Sequence, residues 1–193
     1  MDLTQGTLQE KNNRAKKMML WFGIISLIMS FAGLTSAFIV SSSREDWLTD
    51  FQLPNAFTIS LILIIISSIT IILAKKSLKT NNRNATTVYL LVTLALGIAF
   101  IVSQINGFNE IIASGYNFTG PTSNVTMSYI YVIAFVHIIH VVAGLISLLV
   151  VVVNHFRKKY SADNMLGVEL LSTFWHFIDI LWIYLFFFLY FVR

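Results

Sequence analysis

The chain has 193 residues, of which 56% are hydrophobic and only 11% charged. A water-soluble domain usually has about a quarter of its residues charged, so this composition excludes a soluble globule and predicts a membrane protein. Cysteine is absent, which removes disulfides, thiolate metal sites and thiol catalysis. The net charge of +4 resembles a nucleic-acid signal only until the charges are placed along the chain.

Residues 1–17 form a polar tail with Lys11, Arg14, Lys16 and Lys17. The first apolar run, 18–40, is too long for a removable leader and is followed by no small-residue cleavage site, so it reads as a permanent span. It contains Gly23, Ser26, Ser30, Ala32, Gly33 and Ala37. Gly33 and Ala37 are four apart, a spacing that lets another helix come close. An acidic connection follows at 41–54, with Arg44, Glu45, Asp46 and Asp50. The second run is 55–74, and the turn after it carries Lys75, Lys76, Lys79 and Arg83.

The third run, 85–109, contains Ala95, Gly97, Ala99 and Gln104. The next connection has Gly115, Gly120 and Pro121, with glycosylation-type triplets at Asn117 and Asn124. Such triplets are common by chance in a loop rich in Asn and Thr, and they carry no weight here. The fourth run, 128–153, holds His137, His140, Ala143, Gly144 and Ser147. A second basic turn has His155, Arg157, Lys158 and Lys159, and the fifth run is 168–192. Each run is long enough to cross a bilayer, which takes about 20 residues. The first four contain no Asp, Glu, Lys or Arg.

Eleven of the thirteen Lys and Arg lie in the tail and the two basic turns, against Arg44 and Arg193 on the other side. The positive-inside rule then puts the N-terminus inside and the C-terminus outside. Trp21 and Tyr160 near inner ends, and Trp47, Tyr129, Tyr131 and Tyr190 near outer ends, suit the same placement. The basic excess is a topology signal, and nucleic acid is not an expected partner. The fold class is all-α: one polytopic membrane domain over 1–193, a bundle of five transmembrane helices. No loop is large enough to fold alone, and no internal repeat supports a transporter of inverted-repeat architecture.

Within the fifth run, Phe174 to Ile183 places His176 and Asp179 between Trp175 and Trp182. Burying an ionisable group there is costly unless it is paired or protonated. Glu169, Ser172, His176 and Asp179 are spaced three, four and three, so they share one helical stripe. No Lys or Arg lies within a span to pair with Asp179. Its candidate partners are His176, a histidine on another helix, or a proton. His137 and His140 share a face of the antiparallel fourth span, and the depth of His140 allows a contact with Asp179.

Four chemistries compete for these residues. Haem ligation needs matched histidine pairs, which do not emerge. A proton or ion pathway could use the Asp, Glu and His groups. Metal-dependent catalysis needs a close set of carboxylate and imidazole ligands, and none is visible. The fourth reading is a polar seam of interhelical and lipid-headgroup hydrogen bonds. The residues favour this seam, and with it an interaction subunit without catalytic residues. A di-haem b-type electron carrier and a small proton-coupled transporter stay open as alternatives.

The stretch Phe174-Trp175-His176-Phe177-Ile178-Asp179-Ile180-Leu181-Trp182 resembles the W-H-F-x-D-x-x-W signature of subunit III of the haem–copper oxidases, a family that takes in cytochrome c and quinol oxidases. Gly167-Val168-Glu169 resembles the family's G-F-E, and His137-Ile138-Ile139-His140-Val141 with Gly144 its H-G-L-H-V-x-x-G. Gly97-Ile98-Ala99-Phe100 with Gln104, and Ser67-Ser68-Ile69-Thr70, are similar to its segments in the two helices before. The pieces keep the family's order and cover roughly 20–193. Five spans resemble the shorter bacterial form, which lacks the first two helices of the seven-helix version.

The resemblance implies a subunit of a cytochrome c oxidase-type complex in aerobic electron transport, multi-pass in a bacterial plasma (inner) membrane. It implies subunits I and II as partners, with haem and copper on them and no cofactor or metal on this chain. It also implies bound phospholipid in a cleft between helix groups, and support of assembly, stability and proton uptake by subunit I; membership of a larger respiratory supercomplex stays open. Gln104, His137, His140, Glu169, Trp175, His176, Asp179 and Trp182 become candidates for lipid or subunit contacts. Two departures matter. The family's S-E-x-x-x-F reads Ser26, Leu27 and Phe31 here, and its Gln-x-x-Glu reads Gln104-Ile105-Asn106-Gly107. Both acids are missing, which favours a structural role over direct proton handling.

Overall fold

A computed structural model of the chain describes residues 7–48, 52–120, 123–162 and 164–192. Asp50, Pro121, Arg193 and residues 1–6 of the tail lie outside the described residues. The helices are α1 (Leu8–Ser41), α2 (Asn55–Lys79), α3 (Arg83–Ala113), α4 (Val125–Phe156) and α5 (Leu166–Phe191). Each is long and apolar enough to cross a membrane, and no β-strand occurs among the described residues.

Helices α1, α3 and α4 run past the apolar segments that announce them, and a polar side chain caps the start of each. Helix α1 starts at Leu8 behind a reciprocal cap. The Thr7 hydroxyl accepts from the Glu10 backbone N–H at 3.3 Å, and the Glu10 carboxylate accepts from the Thr7 N–H at 2.9 Å. Two of the otherwise unpaired N–H groups of the first turn are thereby satisfied. Asn82 and Asn124 cap α3 and α4 through their side-chain oxygens. At 1.5 Å per residue the 34 residues of α1 extend ~50 Å, well beyond a hydrocarbon core of ~30 Å.

Helices α2, α3, α4 and α5 pack as a closed ring, each against two neighbours. Helix α1 lies outside this ring against α4 and α5; it touches neither α2 nor α3 among the described residues. The core has two parts. The larger is built by all five helices, with Phe31 and Phe38 of α1 among Phe57, Phe100, Ile133 and Trp182. The smaller lies toward the end that carries the α2–α3 and α4–α5 turns, here called the basic end, and is built by α2 to α5 alone around Ile71, Leu90, Leu148 and Trp175.

At the opposite end the 41–48 segment is tied to the start of α4. Thr126 Oγ1 accepts from the Leu48 N–H at 3.0 Å, and Asn124 Nδ2 donates to the Asp46 carbonyl at 2.9 Å. Arg44 donates to both Asp46 carboxylate oxygens at 2.8 and 3.0 Å, which holds that carboxyl below the usual range.

The close approach expected on the face of Gly33 and Ala37 is not found at Gly33 among the described residues. A methyl group added at Gly33 would meet nothing within 4 Å, because α1 turns Ile24, Phe31, Thr35 and Phe38 inward instead. Close packing falls elsewhere. A Cβ at Gly97 would lie 2.8 Å from Leu145 Cδ2 and 3.0 Å from Trp175 Cη2, and one at Gly144 3.3 Å from Trp175 Cζ3. The Trp175 indole thus fills the space that these two missing side chains leave between α3 and α4. Gly107 makes the same kind of room for the ring of Phe57.

Candidate functional site

The polar residues of α5 are built into a ladder against α2. Trp175 and Trp182 are seven residues apart on α5, and Ser60 and Ser67 are seven apart on α2. Seven residues are two turns, so each pair lies on one helix face, and the antiparallel pairing matches Trp175 to Ser67 and Trp182 to Ser60. Trp175 Nε1 donates to Ser67 Oγ at 2.9 Å, and Trp182 Nε1 donates to Ser60 Oγ at 3.1 Å. In a lipid-embedded bundle these bonds give each indole N–H the partner that hydrocarbon cannot supply.

Ser60 is the hub. Its hydroxyl donates to the Phe57 carbonyl at 2.7 Å and accepts from Gln104 Nε2 at 2.7 Å as well as from Trp182. One donor and two lone pairs are then all in use, and the single proton is spent on Phe57, so Gln104 must present its NH2 group. One serine therefore joins α2, α3 and α5. We predict that Ser60→Ala, which strands two buried donors, lowers stability by about 1–3 kcal/mol. A double-mutant cycle with Trp182→Phe should return a non-additive coupling between the two sites; additive losses in thermal unfolding would contradict it.

Beside this ladder, Ser68 Oγ and His176 Nδ1 are 2.7 Å apart. Asp179 is 2% exposed and lies near enough to Ser68 to interact with it, while its Oδ2 has no hydrogen-bond partner among the described residues. Asp179 is one of the residues around a small, apolar-lined cavity of about 10 Å3, with Ser67, Gly97, Phe100, Trp175 and Ile178 among others. That is about the room of one water molecule.

The four histidines diverge. His137 is fully buried, stacked on Trp182 with ring centres 4.9 Å apart, and met edge-on by Phe31 and Phe100. Neither of its ring nitrogens has a hydrogen-bond partner among the described residues. His140 donates from Nδ1 to the Val136 carbonyl at 2.7 Å, one turn back on α4, and its ring meets Phe31 of α1. His155 pairs through Nε2 with Thr87 Oγ1 at 2.9 Å. Among the described residues no group of three or more His, Cys, Asp or Glu side chains comes together as a metal site would require.

The stripe on α5 is real as a helical spacing but is divided among neighbours. Glu169 forms an ion pair with Lys17 of α1 at 2.7 Å, His176 meets α2, and Ser172 and Asp179 are buried. The contact that the depth of His140 allows with Asp179 is not formed; among the described residues no ion pair or hydrogen bond joins them. The rotation of α4 turns His140 toward α1, while Asp179 faces Ser68 and the α3 side. Ser60 and Thr87 belong to no motif in the sequence. The only signal for Ser60 is its seven-residue spacing from Ser67, which matches that of the two tryptophans, and Thr87 has none.

The family model for "Cytochrome c oxidase subunit III" matches residues 3–193. The chain is 36% identical over 136 residues to the cytochrome bo(3) ubiquinol oxidase subunit 3 of Pseudomonas aeruginosa, covering 70% of this chain and 63% of that protein. It is 31% identical over 187 residues to the protein of the same description from Buchnera aphidicola subsp. Schizaphis graminum, covering 95% of this chain and 97% of the relative. The cytochrome c oxidase subunit 3 of Alkalihalophilus pseudofirmus is 27% identical over 185 residues, 94% of this chain and 87% of its own length.

Proposed function

This chain belongs to the cytochrome c oxidase subunit III family, and from that premise we propose that it is the redox-free third subunit of a bacterial haem–copper oxidase. Subunit III of these oxidases does not itself carry haem or copper. The chain's task is to hold a membrane scaffold beside catalytic subunit I and, with subunit II, to sustain assembly, stability and bound phospholipid in the plasma membrane. Its effect on proton uptake is indirect, exerted through the shape and lipid of the interface. The N-terminus and the basic turns face inward, as the distribution of Lys and Arg requires.

The observation that carries the reading is the way the α5 motif is spent. Trp175, His176 and Trp182 are hydrogen-bonded to serines of α2, Glu169 is paired with Lys17, and Gln104 is tied to the same hub as Trp182. These groups hold helices together. The position where the family often carries a second acid is Gly107, which lies against Phe57 with no room for a side chain.

The test is copurification from the native membrane through a tag on this chain, in mild detergent. A haem-bearing subunit I is expected in the eluate, and its absence overturns the proposal. Asp179→Leu is expected to loosen the chain from its partners while the haem spectrum of surviving complex stays unchanged; an altered spectrum would place this chain at the redox centre. Orientation is read separately. The chain has no native cysteine, so single cysteines at Lys159 and Ser123 report sidedness to an impermeant maleimide, with Ser123→Cys labelled from outside.

A further inference from the structure

Three polar groups on two helices form a line from the basic end into the middle of the bundle. His176 borders a hollow of about 390 Å3 among Lys75, Lys76 and Lys79 of α2. Its Nδ1 lies 2.7 Å from Ser68 Oγ, and Ser68 in turn interacts with the Asp179 carboxyl. Asp179 stands half-way along the 26 residues of α5, ~20 Å from the basic end of that helix. A carboxyl group that is itself buried is thus linked to the basic end through two groups that can each pass a proton on.

The line stops at Asp179. Around the cavity beside it, α2, α3 and α4 supply Ile64, Leu96, Gly97, Phe100 and Val141, none of which exchanges a proton. Ser67 is also there, with its oxygen engaged by the Trp175 N–H. His137 of α4 meets the Phe100 ring edge-on, and neither of its nitrogens is hydrogen-bonded among the described residues. The charged groups lie on the other side of the line. Lys75 of α2 is within electrostatic reach of His176, and Glu169 of α5 is paired with Lys17 of α1. No Lys or Arg is ion-paired with Asp179 among the described residues. An unpaired carboxylate is costly in such surroundings, and a carboxylic acid is not.

We infer that Asp179 is a proton-binding site, filled and emptied from the basic end through Ser68 and His176 and closed toward the opposite end. In the filled state the carboxyl O–H donates to Ser68 Oγ, the Ser68 O–H donates to His176 Nδ1, and the ring carries its proton on Nε2. When Nε2 gives that proton to a water molecule of the hollow, the Ser68 proton passes to Nδ1 and the carboxyl proton passes to Ser68. A carboxylate is left that accepts from Ser68, the ring stays neutral in its other tautomer, and the water has become hydronium. One proton has left the chain, and uptake runs the same transfers backward. Each of the three groups can act as donor in one state and acceptor in the other, as such a relay requires. The path ends inside this chain, so it feeds no partner subunit and does not depend on which partners the chain has.

The full chain, with whatever oxidase subunits accompany it in mild detergent, is transferred to D2O and followed by infrared spectroscopy. The C=O stretch of a protonated carboxyl that is lost in Asp179→Asn belongs to Asp179. In wild type this band is expected to shift on deuteration well before the backbone amides of α5 exchange, read by mass spectrometry on the same samples, because no helix has to open. Ser68→Ala is expected to slow the shift by about tenfold or more, and Ser68→Thr, which keeps a hydroxyl, to leave it fast. A wild-type band that shifts only together with the α5 amides overturns the site without any appeal to the Ser68 variants. The absence of a band specific to Asp179, or equal rates in wild type and Ser68→Ala, overturns it too. Haem content of the same samples reports separately on association with the oxidase, so slow exchange in an intact complex refutes this inference alone.

Discussion

Trp182→Ala is expected to destabilise the chain by about 3 kcal/mol or more. Trp182 is completely buried, stacked on His137 and met edge-on by Phe57 and Phe100, and its N–H reaches Ser60. Trp-to-Ala changes in soluble cores cost ~3–5 kcal/mol, part of it transfer from water and part the cavity left behind. Between lipid-embedded helices the transfer part falls away, since lipid is as apolar as the core. The cavity remains, because four elements meet there and none can close the gap alone. The result should appear as a lowered unfolding temperature in detergent and as loss of the chain from the purified complex. Trp182→Phe, which keeps most of the volume, should cost much less; equal losses in the two variants would contradict the packing account.

Restoring the acid by Gly107→Glu should be at least as damaging. A Cβ at this position overlaps the ring of Phe57. That ring has nowhere to go, being buried and held edge-on by Trp182 and Phe108. Overpacking of this kind costs about 1–3 kcal/mol, so Gly107→Ala already separates it from wild type. Glutamate puts a longer, ionisable side chain into the same crowded contact. Gly107→Glu is therefore expected to abolish accumulation of folded chain, and Gly107→Ala to lower its thermal stability. Normal stability of both variants would show that the α2–α3 contact is looser than its geometry states.

Much of this was legible along the chain. Five apolar runs announce five helices, because a bilayer leaves no other way to satisfy a spanning backbone. The motif around Trp175 and Asp179 points to its family without any coordinates. The start of α1 at Leu8 was not read from the sequence, because hydropathy ended the tail at residue 17 while the cap between Thr7 and Glu10 sets the helix start. What misled was spacing taken as contact. Gly33 and Ala37 share a face of α1, yet nothing among the described residues comes close at Gly33. His140 and Asp179 lie at matching depth, yet the two helices turn them apart. Spacing along one helix states which residues share a face, and it is silent on what that face meets.

Composition and order therefore determined by themselves the solvent this protein lives in, the number of its crossings and the family whose motif it carries, since each follows from local hydropathy, charge and residue identity. Only the tertiary structure decided that the two signature tryptophans are rungs on Ser60 and Ser67, that Gly97 and Gly144 exist to seat Trp175, and that Gly107 has no room for an acid. Those are matters of helix rotation and depth, which long-range packing sets jointly across α2 to α5. The gap between α1 and α2 has the same origin. It is where the packing stops, since α1 rests on α4 and α5 alone among the described residues.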